Sequence, residues 1–579
     1  MSRASTPTTP IQLLDWKQLP ARPDFTSTST IPPLTLLPDF SAAFKMQDPV
    51  PSPPSEEEQL QYYYGLPSLP KLVARSNADY PWVGQIGPWP KVKILSPTRN
   101  HIILDLWDDY DGPLRREILQ ALKPVNWTAI DILCISVNPS CFDKTDEEMT
   151  KHPIILLISV EPGSTSFHQG YPVVMQCRQI LQRHGVNDIH CEMKESTVFS
   201  LGTAPPDAPK LLMEQSHPSC NENHQAMASV YLGSSIGPSD QPERQGTKGL
   251  YLRQKDTGAI LALTCRHVIF SDAFPNQDYR YRQNDAAPRR TVVQPADGTL
   301  KLMMKHVFAD IQIEEKAIRD IRASYKPEEW KEQQIRQHEV SLKLCRQWHQ
   351  SLLGLDDAAM RIIGHVVFSP AFGLGKSNSG QLRLRDWALI EVHPGKHAMD
   401  LDLLHNEVMV DSWSANKLQR IQMNEAPSIT ASVASELVID RKVRLHGTIS
   451  EPEMKRPSTC DHADNPTIMV AKFGAKTHFT VGFTNAIKSV TRRPRENLEL
   501  ISEELCILGC KRSSENGREC FSARGDSGAC VWDVQGRIGG IVTGGGGNEH
   551  AGSHDVTYAT PIEWLLEDVK SFGFDVALL

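Results

Sequence analysis

The segment Arg524-Gly525-Asp526-Ser527-Gly528-Ala529 sets a serine between two glycines. Gly-Asp-Ser-Gly suits a tight turn that lifts a hydroxyl out of the backbone, because glycine reaches φ/ψ values closed to other residues. The turn also uncovers amides, so Gly525 and Ser527 could aim two donors at one point, as an oxyanion hole requires. Gly, Asp and Ser are equally at home in a plain surface turn. A serine hydroxyl is a weak nucleophile; it needs a base, and the base needs an acid to orient it. Two stretches offer these groups. Ala259-Ile260-Leu261-Ala262-Leu263-Thr264 is a buried-type strand leading through Cys265 and Arg266 to His267. Arg385-Asp386-Trp387-Ala388-Leu389-Ile390 places an acid at the mouth of an apolar strand. Taken singly, these are also compatible with a core histidine and a solvated acid.

Together, in the order His, Asp, Ser, they resemble the chymotrypsin/trypsin-like serine peptidases, whose motifs read Thr-Ala-x-His, Asp-x-Ala-Leu and Gly-Asp-Ser-Gly. Gly540-Ile541-Val542-Thr543-Gly544-Gly545 resembles the strand that lines the primary pocket in that family. Lys472 to Gly482 resembles the hairpin opening the second barrel of intracellular and bacterial members, and Tyr558 to Val569 the last pocket strand and C-terminal helix. The resemblance covers about residues 225–579. It implies an all-β double barrel and a serine endopeptidase working through an acyl-enzyme. Ser527 would be the nucleophile, His267 the base, Asp386 the orienting acid, and the amides of Gly525 and Ser527 the oxyanion hole. The substrate pocket would be formed by Phe521, Ser522, Thr543, Gly544, Gly545 and Tyr558. Thr543 replaces the family's serine beside the buried acid, so its hydroxyl is expected to bond Asp386. The backbone of Thr543 to Gly545 is expected to pair with an extended substrate strand, and the run Gly544 to Gly547 to leave the pocket mouth unblocked. Phe521 stands where trypsin-like members carry an acid, so the pocket should prefer an uncharged side chain. Secreted members pair a freed Ile-Val-Gly-Gly terminus with the acid before the serine. No such sequence stands near residue 225, so Asp526 needs another partner, or the oxyanion turn must form without one. The chemistry calls for no cofactor and no metal. A competing reading is a catalytically silent scaffold of the same fold that binds a partner; the intact trio favours the enzyme, because a silent scaffold is free to lose it.

Several elements must position this trio. The 579 residues leave room for three or four domains. Residues 1–60, dense in proline, serine and threonine, are expected to be a disordered tail. Residues 61–215 predict an α+β domain: strands at Ile102–Leu106, Ala129–Val137, Pro153–Val160 and Asp188–Phe199, with helices at Pro113–Leu122 and Ser166–His184. That β-α-β-β-α-β order suggests a ferredoxin-like sandwich, a fold that hosts many functions. His190 and Cys191 are neighbours on a strand and point to opposite faces, which argues against a shared metal. Residues 216–227 form a linker, and a first barrel spans 228–400, starting near Ala228–Leu232. His267 and Asp386 lie 119 residues apart, far more than the family spacing. The extra length predicts a helical insert over 308–353, in two segments separated near Tyr325–Pro327. Residues 401–436 predict a polar connection, with Val438–Asp440 and Val443–Gly447 opening a second barrel over 437–579.

The net charge of −8 argues against a general nucleic-acid binder. Twelve irregularly spaced cysteines are not a disulfide framework. No apolar leader follows Met1 and no run reaches membrane-spanning length, which together suggest an intracellular protein, cytoplasmic or nuclear rather than secreted. Partners are expected to be a protein or peptide substrate, with the helical insert or residues 61–215 open to a further protein.

Overall fold

Aliphatic and β-branched runs dominate the second half of the chain, and they form sheets. The computed structural model describes residues 51–77, 82–84, 92–109, 112–138, 153–200, 227–282, 289–378, 380–395, 400–427, 441–495, 498–510, 519–548 and 553–579. Among these residues the structure is mostly β, with helices at its margins. From Pro53 onward they belong to one compact unit.

Six strands, Met469–Gly474, His478–Thr484, Leu498–Gly509, Cys530–Asp533, Ile538–Asn548 and Ser553–Pro561, pair in a ring closed by Leu498–Gly509 against Ser553–Pro561. A second, nine-stranded sheet has the histidine and the acid at the ends of two of its strands. It runs from Val576–Leu578 through Leu250–Gln254, Ile260–Thr264, Ala388–Val392, Ile362–Ser369 and Thr291–Val293 to Ser235–Pro238 and Gly246–Thr247. Its ends do not pair with each other among the described residues. Leu250, Leu263, Leu389 and Ile390 from this sheet share one apolar core with Ala471, Phe473, Trp532 and Ile541 from the ring.

The expected hairpin of Leu250–Gln254 and Ile260–Thr264 is present, turning at Gly258, whose φ is +73°. The helical insert is present too, but its first helix is Asp297–Ala323, eleven residues longer at its start than expected, followed by Glu328–Leu353. Leu300, Met303 and Val307 supply the added turns with helically spaced apolar contacts to the core. Farther out the hairpin is solvated, and Tyr325 at its tip is fully exposed.

Several expectations fail for identifiable reasons. Ile103–Asp108 is a helix, not a strand; Ile103 and Trp107 are buried four apart, a spacing that the apolar run disguises. The ferredoxin-like order is therefore absent. The sheet of residues 72–195 runs Leu72–Arg75, His190–Glu195, Ile154–Val160, Trp127–Asn138, with Val92–Ser96 also paired to the last, and only His190–Glu195 and Ile154–Val160 are parallel. Nor does it end there: Trp127–Asn138 pairs with Ser489–Arg495, joining it to the ring in a single 13-stranded sheet. Most of the tail at 1–60 lies outside the described residues, but Glu56–Gln61 is a helix capped by Ser55 with three glutamates in its first turn. The sheet carrying His267 starts at Ser235, because Ser229 to Gly233 form turns held by Ser234 Oγ on Tyr231 O. The connection after residue 400 contains the helix Ser412–Glu425, capped by Asp411 and burying Leu418 and Ile421. Lys442–Arg444 pairs with Glu407–Met409 in a separate two-stranded sheet rather than opening the ring, and Val438–Asp440 lie outside the described residues.

Candidate active site

Strand pairing brings together residues far apart in sequence. Ile260–Thr264 lies antiparallel to Ala388–Val392, with Thr264 opposite Ala388. His267 follows the first strand on the short helix Arg266–Ile269, and Asp386 precedes the second. The pairing therefore sets them side by side. The His267 amide donates to Asp386 Oδ1 at 3.0 Å, and His267 Nδ1 lies 2.5 Å from Asp386 Oδ2. His267 Nε2 lies 2.7 Å from Ser527 Oγ. All three residues are buried, Ser527 completely.

The serine sits in a turn that glycine makes possible. Gly525 has φ +108° and Gly528 φ +91°. A Cβ on Gly528 would lie 2.2 Å from Thr247 O and 2.4 Å from Thr264 Oγ1, so no larger residue fits without moving backbone. Thr247 pins the turn from the neighbouring sheet: its amide donates to Ser527 O at 2.7 Å and its hydroxyl to Gly525 O at 2.9 Å. Arg244 donates to the carbonyls of His267 and Phe270 and braces the histidine's helix.

Burial alone would raise the Asp386 carboxyl; the His267 ring, its hydrogen bonds and the Arg493 charge outweigh that and hold it below its ordinary value. Asp386 therefore stays ionised beside the imidazole. Thr543 does not help it. Its hydroxyl is buried without a hydrogen-bond partner among the described residues. It lies at an irregularity in the ladder between Val542 and Gly544, a local break that can re-aim a side chain.

Asp526 has found a partner that sequence reasoning missed. Lys472 Nζ lies 3.2 Å from Asp526 Oδ2, and both side chains are fully buried. The carboxylate also accepts from the Thr477 hydroxyl at 2.7 Å and from the amides of Ala523, Lys476 and Thr477 at 2.9, 2.9 and 3.1 Å. Burial pushes this carboxyl up, and the Lys472 charge with these bonds more than reverses it. A signal existed in the sequence: Lys472 interrupts an otherwise apolar strand whose six residues are all buried.

The predicted pocket residues are present but filled. Phe521 and Ser522 are buried, and Ser522 Oγ bonds Thr557 Oγ1 at 2.7 Å and His554 Nδ1 at 3.2 Å. Burial lowers His554 to about 4, so it is neutral. Tyr558 turns its hydroxyl to Asp131, 3.2 Å away on the strand Trp127–Asn138. The glycine run is not an open mouth: Gly544 to Gly547 are paired with the strand Thr197–Ser200.

Ligand atoms of Cys265, His267 and Asp386 lie within 4.8 Å of one another. These atoms are already engaged: both His267 ring nitrogens are in the trio, and Cys265 Sγ donates to Val542 O at 3.3 Å. Burial also pushes the Cys265 thiol up, away from the thiolate a metal would need. No helix among the described residues is long and apolar enough to cross a membrane. Compared with known proteins, the chain matches no family model and no curated protein.

Proposed function

We propose that this chain is a serine endopeptidase of the double-barrel chymotrypsin-like type, with Ser527, His267 and Asp386 as its triad. The observation that carries this reading is the continuous contact Asp386–His267–Ser527, at 2.5 and 2.7 Å. Ser527 Oγ attacks a peptide carbonyl while His267 Nε2 takes its proton. His267 then protonates the leaving amine, and water, activated by the same imidazole, releases the acyl group. Asp386 holds the imidazole so that Nε2 faces the serine and stabilises the imidazolium. The amides of Gly525 and Ser527 face the oxyanion; losing one such donor typically raises the barrier by about 3–4 kcal/mol. Lys472 holds Asp526, and through it the turn that carries those amides.

A second reading, a silent scaffold of the same fold that binds a partner, is favoured by one observation: Ser527 has no exposed surface. A fluorophosphonate probe separates the two. Covalent labelling at Ser527, lost in Ser527→Ala and in His267→Ala, supports the enzyme. A folded full-length protein that stays unlabelled, even when its internal contacts at the site are loosened, supports the scaffold.

A further inference from the structure

We infer that Thr197–Ser200 occupies, within the same chain, the strand edge on which an extended substrate would have to lie, and thereby keeps the site closed. The inference rests on the peptidase reading for its meaning, but the occupancy itself can be tested without catalysis.

The strand Ile538–Asn548 has two edges. One pairs with Ser553–Pro561 along nearly its whole length. The other pairs first with Cys530–Asp533, as far as Ile541 opposite Cys530. At Val542 this edge meets the nucleophile's turn: the Gly528 amide donates to Val542 O at 2.8 Å, and the Val542 amide to Ala529 O at 2.9 Å. Beyond that point the edge is free to take another strand, and it takes Thr197–Ser200. Gly544 is opposite Ser200, Gly545 opposite Phe199, Gly546 opposite Val198 and Gly547 opposite Thr197. Ser200, at the end nearest Val542, is the closest of the four in register to the serine's turn. A peptide adding to a sheet needs unpaired backbone groups on an edge. Here they are already paired, next to the nucleophile.

Side chains make the occupant fit. The Phe199 ring stacks on His554 at 6.4 Å and lies 5.2 Å from the guanidinium of Arg524, the residue before Gly525. Phe199 also belongs to the apolar cluster of Phe521 and Val542, so it fills space beside the predicted pocket. Glycine permits the approach: a Cβ on Gly544 would lie 2.7 Å from Phe199 O. The occupant is held in place from behind. The Ser196 amide donates to Val160 O at 2.8 Å, the Thr128 hydroxyl to Ser196 O at 2.7 Å, and the Thr197 hydroxyl to Glu161 at 3.0 Å. A tethered, pre-ordered strand forfeits little freedom on docking and outcompetes a free peptide by effective concentration. This gives residues 61–200 a role that their sheet alone did not suggest.

The test uses the full chain with two separate loosening variants, Phe199→Ala, which removes the ring, and Val198→Pro, which sets a proline in the middle of the strand. Their fold is checked by circular dichroism. In a Ser527→Ala background, a fluorescent peptide of residues 195–200 should bind each variant at least about tenfold more tightly than the parent, equivalent to ~1.4 kcal/mol. Equal binding to parent and both variants overturns the inference. With Ser527 intact, both variants should react with a fluorophosphonate probe and cleave extended peptides faster than the parent, and the added peptide should slow them. Differential binding without labelling in any form would keep the occupancy and sink the peptidase reading. Labelling and cleavage at one rate in all forms would keep the reading and sink the inference.

Discussion

Replacing Lys472 with methionine should destabilise the protein by about 3 kcal/mol at pH 7. The side chain keeps its unbranched shape but loses its terminal ammonium, leaving a fully buried Asp526 carboxylate without the charge 3.2 Å away. Breaking a buried ion pair from one side typically costs about 3–5 kcal/mol. The lower end applies here, because the Thr477 hydroxyl and three amides still bond the carboxylate. The pH dependence provides a second check. In the parent the Asp526 carboxyl is held below its ordinary value of 3.8, so its stabilisation is complete above that pH and is lost as pH falls through the lower folded value. In the variant the strongest opposing charge is gone, burial raises the carboxyl, and protonation relieves the misfit. The stability gap should therefore narrow from pH 7 to pH 4. Urea unfolding of parent, Lys472→Met and the double variant Lys472→Met/Asp526→Asn measures it. The double variant should recover most of the loss, because no buried charge remains. A single variant within about 0.5 kcal/mol of the parent, or a double variant no more stable than the single, would refute the claim that Lys472 balances Asp526. Because the carboxylate shapes the serine's turn, the single variant should also react more slowly with a fluorophosphonate.

Asp386→Asn should keep the fold and lower the turnover of an accepted peptide by roughly 10⁴-fold, by favouring the wrong imidazole tautomer; a loss under about tenfold would remove Asp386 from the triad. Cleavage profiling of a Phe199→Ala variant should find uncharged residues before the scissile bond, since Phe521 offers no charge to Arg or Lys; dominant cleavage after Arg or Lys, abolished by Ser527→Ala, would displace the pocket assignment. Thiol titration of denatured protein should count twelve free cysteines. No disulfide joins the ten within the described residues, and most are buried, so the native protein should react slowly; a stable Cys520–Cys530 bridge would contradict this.

The three site segments were legible because each has a local cause. A glycine on either side of Ser527 favours a turn, and the apolar runs next to His267 and Asp386 are short, as strands are, with polar residues at their ends. The helical insert was legible from its 3.6-residue periodicity, although Gly298 near its start hid the first turns. The run at Ile103 misled, since a short, mainly apolar run, here broken only by Asp105, suits a buried helix and a buried strand alike. What sequence could not supply was pairing across the chain. Lys472 meets Asp526 only because the strand Met469–Gly474 lies beside Cys530–Asp533. Asp131 meets Tyr558 and Ser489 only because two sheets merge. Thr197–Ser200 meets Gly544 to Gly547 only because the N-terminal sheet carries it there. Backbone conformation is set by a few neighbouring residues. The partner of a buried charge, or of a free strand edge, is set by which strands align, and that is decided by packing of the whole core.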